Sequence, residues 1–146
     1  MKQIVVNGGE THGKLLTPKW VVEYYRRKGV ELFVYIPELT IEDDYMYELK
    51  DPNELDDNTC VYCPLYLLDN FGDIIEEITD EMAQKVVDEY DMFNDREDKT
   101  LIGIAKEINN EDLIKIIEIP DNVEYDIVES DCGFDEWVEE KHRVWY

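Results

Sequence analysis

The chain opens on a short apolar run, Lys2-Gln-Ile-Val-Val-Val6, which predicts a strand. Asn7-Gly-Gly-Glu-Thr-His-Gly13 follows as a loop with three glycines. Thr17 and Pro18 then open a helix: threonine caps, proline suits the first helical position, and Gly29 fits the left-handed stop. Trp20, Val21 and Tyr24 make its inward stripe. Glu31-Leu-Phe-Val-Tyr-Ile36 predicts a second strand, so the first thirty-six residues form a strand–loop–helix–strand unit.

Residues 37–58 are polar and acidic, with a short strand or helix expected near Tyr45-Met-Tyr-Glu-Leu49. A structureless loop of that length would be unusual inside a compact domain, so the stretch is an insertion with a role or is ordered by a partner. Residues from Cys60 to Leu68 predict a strand. Asp69-Asn-Phe-Gly72 predicts a turn, and Asp73-Ile-Ile-Glu-Glu-Ile78 the returning arm of a hairpin. Thr79 caps a second helix, with Asp80 and Glu81 in its first turn and Met82, Ala83, Val86, Val87 and Tyr90 on one core face. After an acidic linker, a third helix turns Leu101, Ile104, Ala105 and Ile108 inward and ends at Asn109-Asn110.

Leu113-Ile-Lys-Ile-Ile-Glu-Ile119 is apolar on both faces, which places it centrally in a sheet. Pro120-Asp-Asn122 predicts a turn. Val123, Tyr125 and Ile127 alternate with Glu124 and Asp126, as a half-buried strand does. Asp131-Cys-Gly133 is a further turn. The stretch from Glu136 to Tyr146 fits a helix through Trp137, Lys141, Val144 and Trp145, or a strand through its alternation, and the strand is favoured. The expected class is α+β (or α/β). It comprises a single mixed sheet, about three helices, the N-terminal strand–loop–helix–strand unit and a C-terminal antiparallel meander. One domain spans 1–146 with an acidic insertion at about 37–58.

Charge changes this picture most. The 146 residues carry 14 basic and 37 acidic side chains, net −23, unevenly spread. Residues 1–36 have 6 basic and 3 acidic residues, 37–98 have 3 and 21, and 99–146 have 5 and 13. Direct binding of nucleic acid or an anionic membrane through a basic face is excluded by that balance, whereas a basic partner is attracted in a salt-dependent way. With 44% apolar residues the chain is no disordered acidic tail. The absence of a membrane-length apolar run or a signal-peptide pattern predicts a cytosolic location. Three cysteines, an odd number, fit reduced thiols.

The glycine loop holds the first candidate site. Gly8 to Lys14 matches the phosphate-binding spacing G-x-x-x-x-G-K after a strand, in which glycines let successive N–H groups wrap a phosphate and lysine reaches it. Leu15 stands where a magnesium-binding hydroxyl is required, and the helix starts late, at Thr17. A looser anion or nucleotide pocket would use Asn7, Gly8, Gly9, Thr11, His12, Gly13 and Lys14. Against it stands a tight connection that simply needs glycine dihedrals. Arg26, Arg27 and Lys28 at the end of the first helix read as dipole compensation rather than as an anion patch. Cys60, Cys63, Cys132 and His142 could supply a tetrahedral zinc set, but one C-x-x-C pair is half a signature, and strand cysteines packed as small apolar groups are favoured. No metal site and no cofactor is expected. The second candidate site is the acidic stretch: Glu38, Glu42, Asp43, Asp44, Glu48, Asp51, Glu54, Asp56 and Asp57. No nucleophile–base order suggests itself, so an enzyme is not expected.

Glu118-Ile-Pro-Asp-Asn-Val-Glu124, Val123-Glu-Tyr-Asp-Ile127 and Glu136-Trp-Val-Glu-Glu-Lys-His-Arg-Val-Trp145 look like the EIPDxVE turn and the EWVxEKHRxW-type ending of a family of bacteriophage and prophage proteins. The Lys2–Asn7 strand, Gly8-Gly9, and Lys28-Gly29 before the second strand look like its beginning. The likeness covers roughly half the chain and leaves 37–98 outside it. It implies a phage accessory protein made inside a bacterium and brings no catalytic residues. The expected function is therefore a non-enzymatic, acidic interaction protein that inhibits a basic host protein, such as a defence or nucleic-acid-binding protein, by nucleic-acid mimicry. The alternative is a protein that sequesters a small anion or nucleotide in the glycine loop. A hydrolase or transferase using that loop ranks third.

Overall fold

The computed structural model describes residues 1–8, 17–39, 45–54, 64–129 and 136–140. In chain order the elements are β1 (Lys2–Asn7), α1 (Pro18–Arg27), β2 (Phe33–Leu39), β3 (Tyr45–Lys50), β4 (Leu65–Leu67), β5 (Ile74–Ile75), α2 (Asp80–Ala83), α3 (Lys99–Ile108), β6 (Ile114–Ile119), β7 (Tyr125–Glu129) and β8 (Glu136–Glu140). Single 3-10 turns lie at Pro52–Glu54 and Glu89–Phe93. The class is α+β, with three helices among the described residues. Among the described residues the strands form three antiparallel sheets, β1-β6, β4-β2-β3-β5 and β7-β8, in place of the single mixed sheet expected. The chain divides into two compact units, Met1–Leu15 with Met92–Tyr146, and Leu16–Asp91.

In the first unit β1 is the buried strand: Ile4, Val5 and Val6 are each 0% exposed. On one side it pairs with β6, from Lys2 opposite Ile119 to Asn7 opposite Ile114. On the other, the Val5 N–H donates to the Arg96 carbonyl at 2.9 Å. With both its edges bonded, β1 takes the central place that apolarity alone assigned to residues 113–119, and β6 is half-buried. Helix α3 forms as its periodicity predicts. Asp98 caps it by accepting from the Thr100 N–H at 3.1 Å, and Asn109 closes it in the left-handed region at φ 48°. Leu101, Ile102, Ile104 and Ala105 are buried, and Ile108 is half-buried. β7 and β8 form an antiparallel pair from Tyr125 opposite Glu140 to Glu129 opposite Glu136. The meander is thereby reduced to one hairpin, because β6 spends its pairing on β1.

In the second unit α1 buries Val21 and Tyr24 and leaves Trp20 half-buried. Its end is a left-handed glycine stop: Gly29 sits at φ 82°, and the Val30 N–H reaches back to the Tyr25 carbonyl at 2.8 Å. β2 pairs with β3 from Val34 opposite Lys50 to Leu39 opposite Tyr45, so 45–49 is strand and the middle of the acidic stretch is half a hairpin. Tyr35, Leu67 and Ile75 are the buried centre of one sheet face, with Phe71 and Met82 packed over it. β1 and β2 belong to different sheets, so the N-terminal strand–loop–helix–strand order does not make a parallel unit.

Two further expectations fail in this unit. The hairpin of 60–68 with 73–78 does not form, since β2 and β3 stand between β4 and β5. The turn at 69–72 is real, with Gly72 at φ 98°, but the Tyr35 hydroxyl accepts from the Phe71 N–H at 3.0 Å and donates to the Gly72 carbonyl at 2.7 Å, tying the connection to the sheet. The second helix stops after one turn, though Thr79 caps it as expected through the Met82 N–H at 3.2 Å. Its continuation leaves to satisfy the open edge of β4: the Leu68 N–H donates to the Lys85 carbonyl at 3.1 Å and the Val87 N–H to the Tyr66 carbonyl at 2.9 Å. Ala83, Val86 and Tyr90 are consequently exposed instead of core, the last two by 43% and 52%, while Met82 packs inward.

Candidate functional site

Asn7 and Gly8, the start of the glycine bend, are held tightly. Asn7 is buried, and its N–H donates to Oε1 of Glu136 at 2.7 Å. The Gly8 N–H donates to the Leu113 carbonyl at 2.9 Å. A Cβ on Gly8 would overlap the Glu111 carbonyl oxygen and lie 2.6 Å from Asp112 backbone carbon, so close backbone approach requires glycine here. Both N–H groups are engaged and a carboxylate already sits on the first. Gly9, Thr11, His12, Gly13 and Lys14 lie outside the described residues.

The partner of Asn7 belongs to a cluster that sequence reasoning missed. Glu136, on β8, is 6% exposed. Arg96 grips it with two parallel bonds, Nη1 to Oε1 at 2.8 Å and Nη2 to Oε2 at 3.0 Å. Arg96 also donates through Nε to the Phe93 carbonyl at 2.7 Å and through Nη1 to the Val5 carbonyl at 3.2 Å, and it stacks 4.9 Å from the Phe93 ring centre. Burial pushes the Glu136 carboxyl up, but the Arg96 guanidinium and the Asn7 N–H outweigh it and hold the group below the usual carboxylate range. Bidentate, with four of the five arginine N–H groups bonded and both side chains largely buried, the pair clasps β1, β8 and the 93–96 turn together. The available signal was Arg96 itself, the sole cation between Val86 and Asp98.

The acidic candidates divide. Glu38 and Glu48 flank Lys50 at 3.8 and 3.3 Å. Asp51 accepts from the Asn53 N–H at 2.9 Å, and Glu54 is exposed in the adjoining 3-10 turn. Glu42, Asp43, Asp44, Asp56 and Asp57 lie outside the described residues. The structure adds a second acidic run that the insertion had overshadowed: Asp73, Glu76, Glu77, Asp80 and Glu81 are all exposed, and none is in an ion pair among the described residues. The basic helix end is partly offset by a single carboxylate of its own helix. Glu23 takes Arg26 at 2.6 Å and Arg27 at 2.9 Å, and its carboxyl is held down at about 2, chiefly by the Arg26 bond.

Alongside α1 the second unit has a groove of about 400 Å³, lined by Val22, Val30, Phe33, Val34 and Leu49, with Arg26, Glu31, Lys50 and Asp51 at its rim. Cys60, Cys63, Cys132 and His142 lie outside the described residues; among those described, no three His, Cys, Asp or Glu side chains are placed to hold a metal. Nor is any helix among them long and apolar enough to cross a membrane. Comparison of the chain with family models, with curated proteins and with solved structures found no match.

Proposed function

We propose that this is a non-enzymatic accessory protein of a bacteriophage or prophage, working in the host cytosol by occupying the nucleic-acid-binding face of a basic host protein. The observation that carries the reading is the exposed carboxylate run Asp73, Glu76, Glu77, Asp80 and Glu81, free of ion pairs among the described residues. It lies in a unit with 20 acidic and only 6 basic residues. Four of those cations are committed locally: Arg26 and Arg27 to Glu23, Lys50 to Glu38 and Glu48, Lys85 to Asp69. An unscreened array of like charge steers a basic partner to it and repels nucleic acid. The resemblance of the chain ends supplies the phage setting. The anion-sequestering alternative has less support, because the first two N–H groups of the bend are already used.

The test is capture from bacterial lysate by the full chain at 50 and 300 mM salt, followed by a nucleic-acid-binding assay on the captured protein. The expected result is a basic partner, displaced from nucleic acid and lost at the higher salt. Changing the five carboxylates to their amides should weaken capture at least tenfold. Recovery of nothing at low salt, or equal capture by the neutralised variant, defeats the proposal.

A further inference from the structure

We propose that the groove beside α1 is an anchor pocket of the second unit, and that it takes an apolar side chain flanked by lysine or arginine in a peptide segment of the partner. This rests on the reading of the protein as a binder of basic proteins and names the contact that would give such binding its specificity. The groove is about 400 Å³, within the range of pockets that accept one large side chain or a small ligand. Its walls are Val22 on α1, Val30 in the connection that follows it, and Phe33, Val34 and Leu49 on the adjoining ends of β2 and β3.

The rim decides the occupant. Arg26 and Lys50 stand there, but neither is an open cation: the Arg26 guanidinium is bonded to both oxygens of Glu23 at 2.8 and 2.6 Å, and Lys50 lies between Glu38 and Glu48. Glu31 and Asp51 are exposed and form no ion pair among the described residues; Asp51 accepts one backbone N–H, that of Asn53. The pocket is therefore apolar inside and effectively anionic at its mouth, within a unit whose charges sum to −14. A free anion or a second copy of this acidic chain is repelled, while a basic segment with one aliphatic or aromatic side chain matches both features. Such anchors, buried and ringed by weaker contacts, carry most of the energy of protein interfaces. Charge mimicry of nucleic acid alone would need no such pocket.

The experiment titrates the isotopically labelled full chain with a synthetic peptide bearing one tryptophan between lysine–arginine pairs, followed by amide shifts and by peptide anisotropy. The expected result is shifts centred on Val22, Val30, Leu49 and Asn53. Affinity should fall about tenfold when the tryptophan becomes glycine, and by a similar factor in the Glu31→Lys, Asp51→Lys variant. Both changed positions are exposed, so unchanged thermal unfolding verifies the fold of that variant. If the peptide instead shifts only residues 73–81, with or without tryptophan, the anchor pocket is overturned and attraction of basic partners survives. If no shift occurs even at 20 mM salt, the pocket is overturned, and the host-lysate capture decides the broader reading separately.

Discussion

Replacing Arg96 by methionine should destabilise the first unit far more than replacing both members of its pair. The Arg96 and Glu136 side chains are 17% and 7% exposed, so the arginine cannot be replaced by water without opening the clasp. Arg96→Met leaves a buried carboxylate with a single donor, the Asn7 N–H, a situation that costs about 3–5 kcal/mol. In the Arg96→Met, Glu136→Leu double variant that charge is gone. The Phe93 and Val5 carbonyls lose Arg96 in both variants and cancel, so what the double variant adds is one orphaned Asn7 N–H, at about 1–3 kcal/mol. The double-mutant cycle should thus show a coupling of about 2 kcal/mol or more, read from urea unfolding at pH 7 with unchanged m-values. The acid limb provides a second reading. The folded Glu136 carboxyl titrates below its unfolded value of about 4.3, so its contribution is complete above that pH and is lost as pH falls through the folded value. Arg96→Met removes that part of the limb. Glu23, held at about 2, contributes equally in both proteins and cancels from the comparison. A cost under about 1 kcal/mol for Arg96→Met, or singles that add to the double within about 0.5 kcal/mol, would refute the clasp.

Three further outcomes are expected. Gly8→Ala forces a Cβ against the Glu111–Asp112 backbone and should cost about 1–3 kcal/mol, or prevent folding of the first unit, by thermal unfolding; an unchanged midpoint contradicts the close packing. Tyr35→Phe removes the hydroxyl that holds Phe71 and Gly72 and should cost about 1–2 kcal/mol, with faster amide exchange at Phe71 as its signature. Burial, then the bond to Glu97 and the Glu97 and Asp95 charges, push the Tyr125 hydroxyl up to about 12. Because the folded value is the raised one, its contribution is complete below pH 10 and disappears as pH rises towards 12; tyrosinate absorbance should show one of the late-titrating tyrosines moving to lower pH in Glu97→Gln, by the part of the shift that burial does not supply.

Local periodicity determined most of the elements. Pro18 and Gly29 bound α1, although the Thr17 hydroxyl is buried and does not make the capping bond expected of it, and Asp98 and Asn109 bound α3, because helix starts and left-handed stops act within one turn of chain. The apolar runs likewise marked β1 and β2, and the free acidity of the chain was evident from composition. Pairing was not legible. Residues 113–119 are as apolar as a central strand, yet beyond Ile114 they are half-buried or exposed, because among the described residues β6 pairs only with β1 and so lies at a sheet edge. The 79–90 pattern has helical spacing, but the unsatisfied edge of β4 draws Lys85 and Val87 into extended pairing after one turn.

The same division governs the candidate sites. Sequence alone selected the Gly8 position, the charge imbalance and the basic end of α1, each a property of neighbours along the chain. Only the tertiary structure turned Glu136 inward and Trp137, 39% exposed, outward, because one arginine forty residues away on the chain could satisfy a buried carboxylate and nothing local required it. It alone also formed the groove, whose walls come from a helix with the connection that follows it and two strands that meet through packing rather than through sequence. Elements follow from interactions a few residues apart; the sites made between them depend on which distant groups satisfy each other once water is excluded.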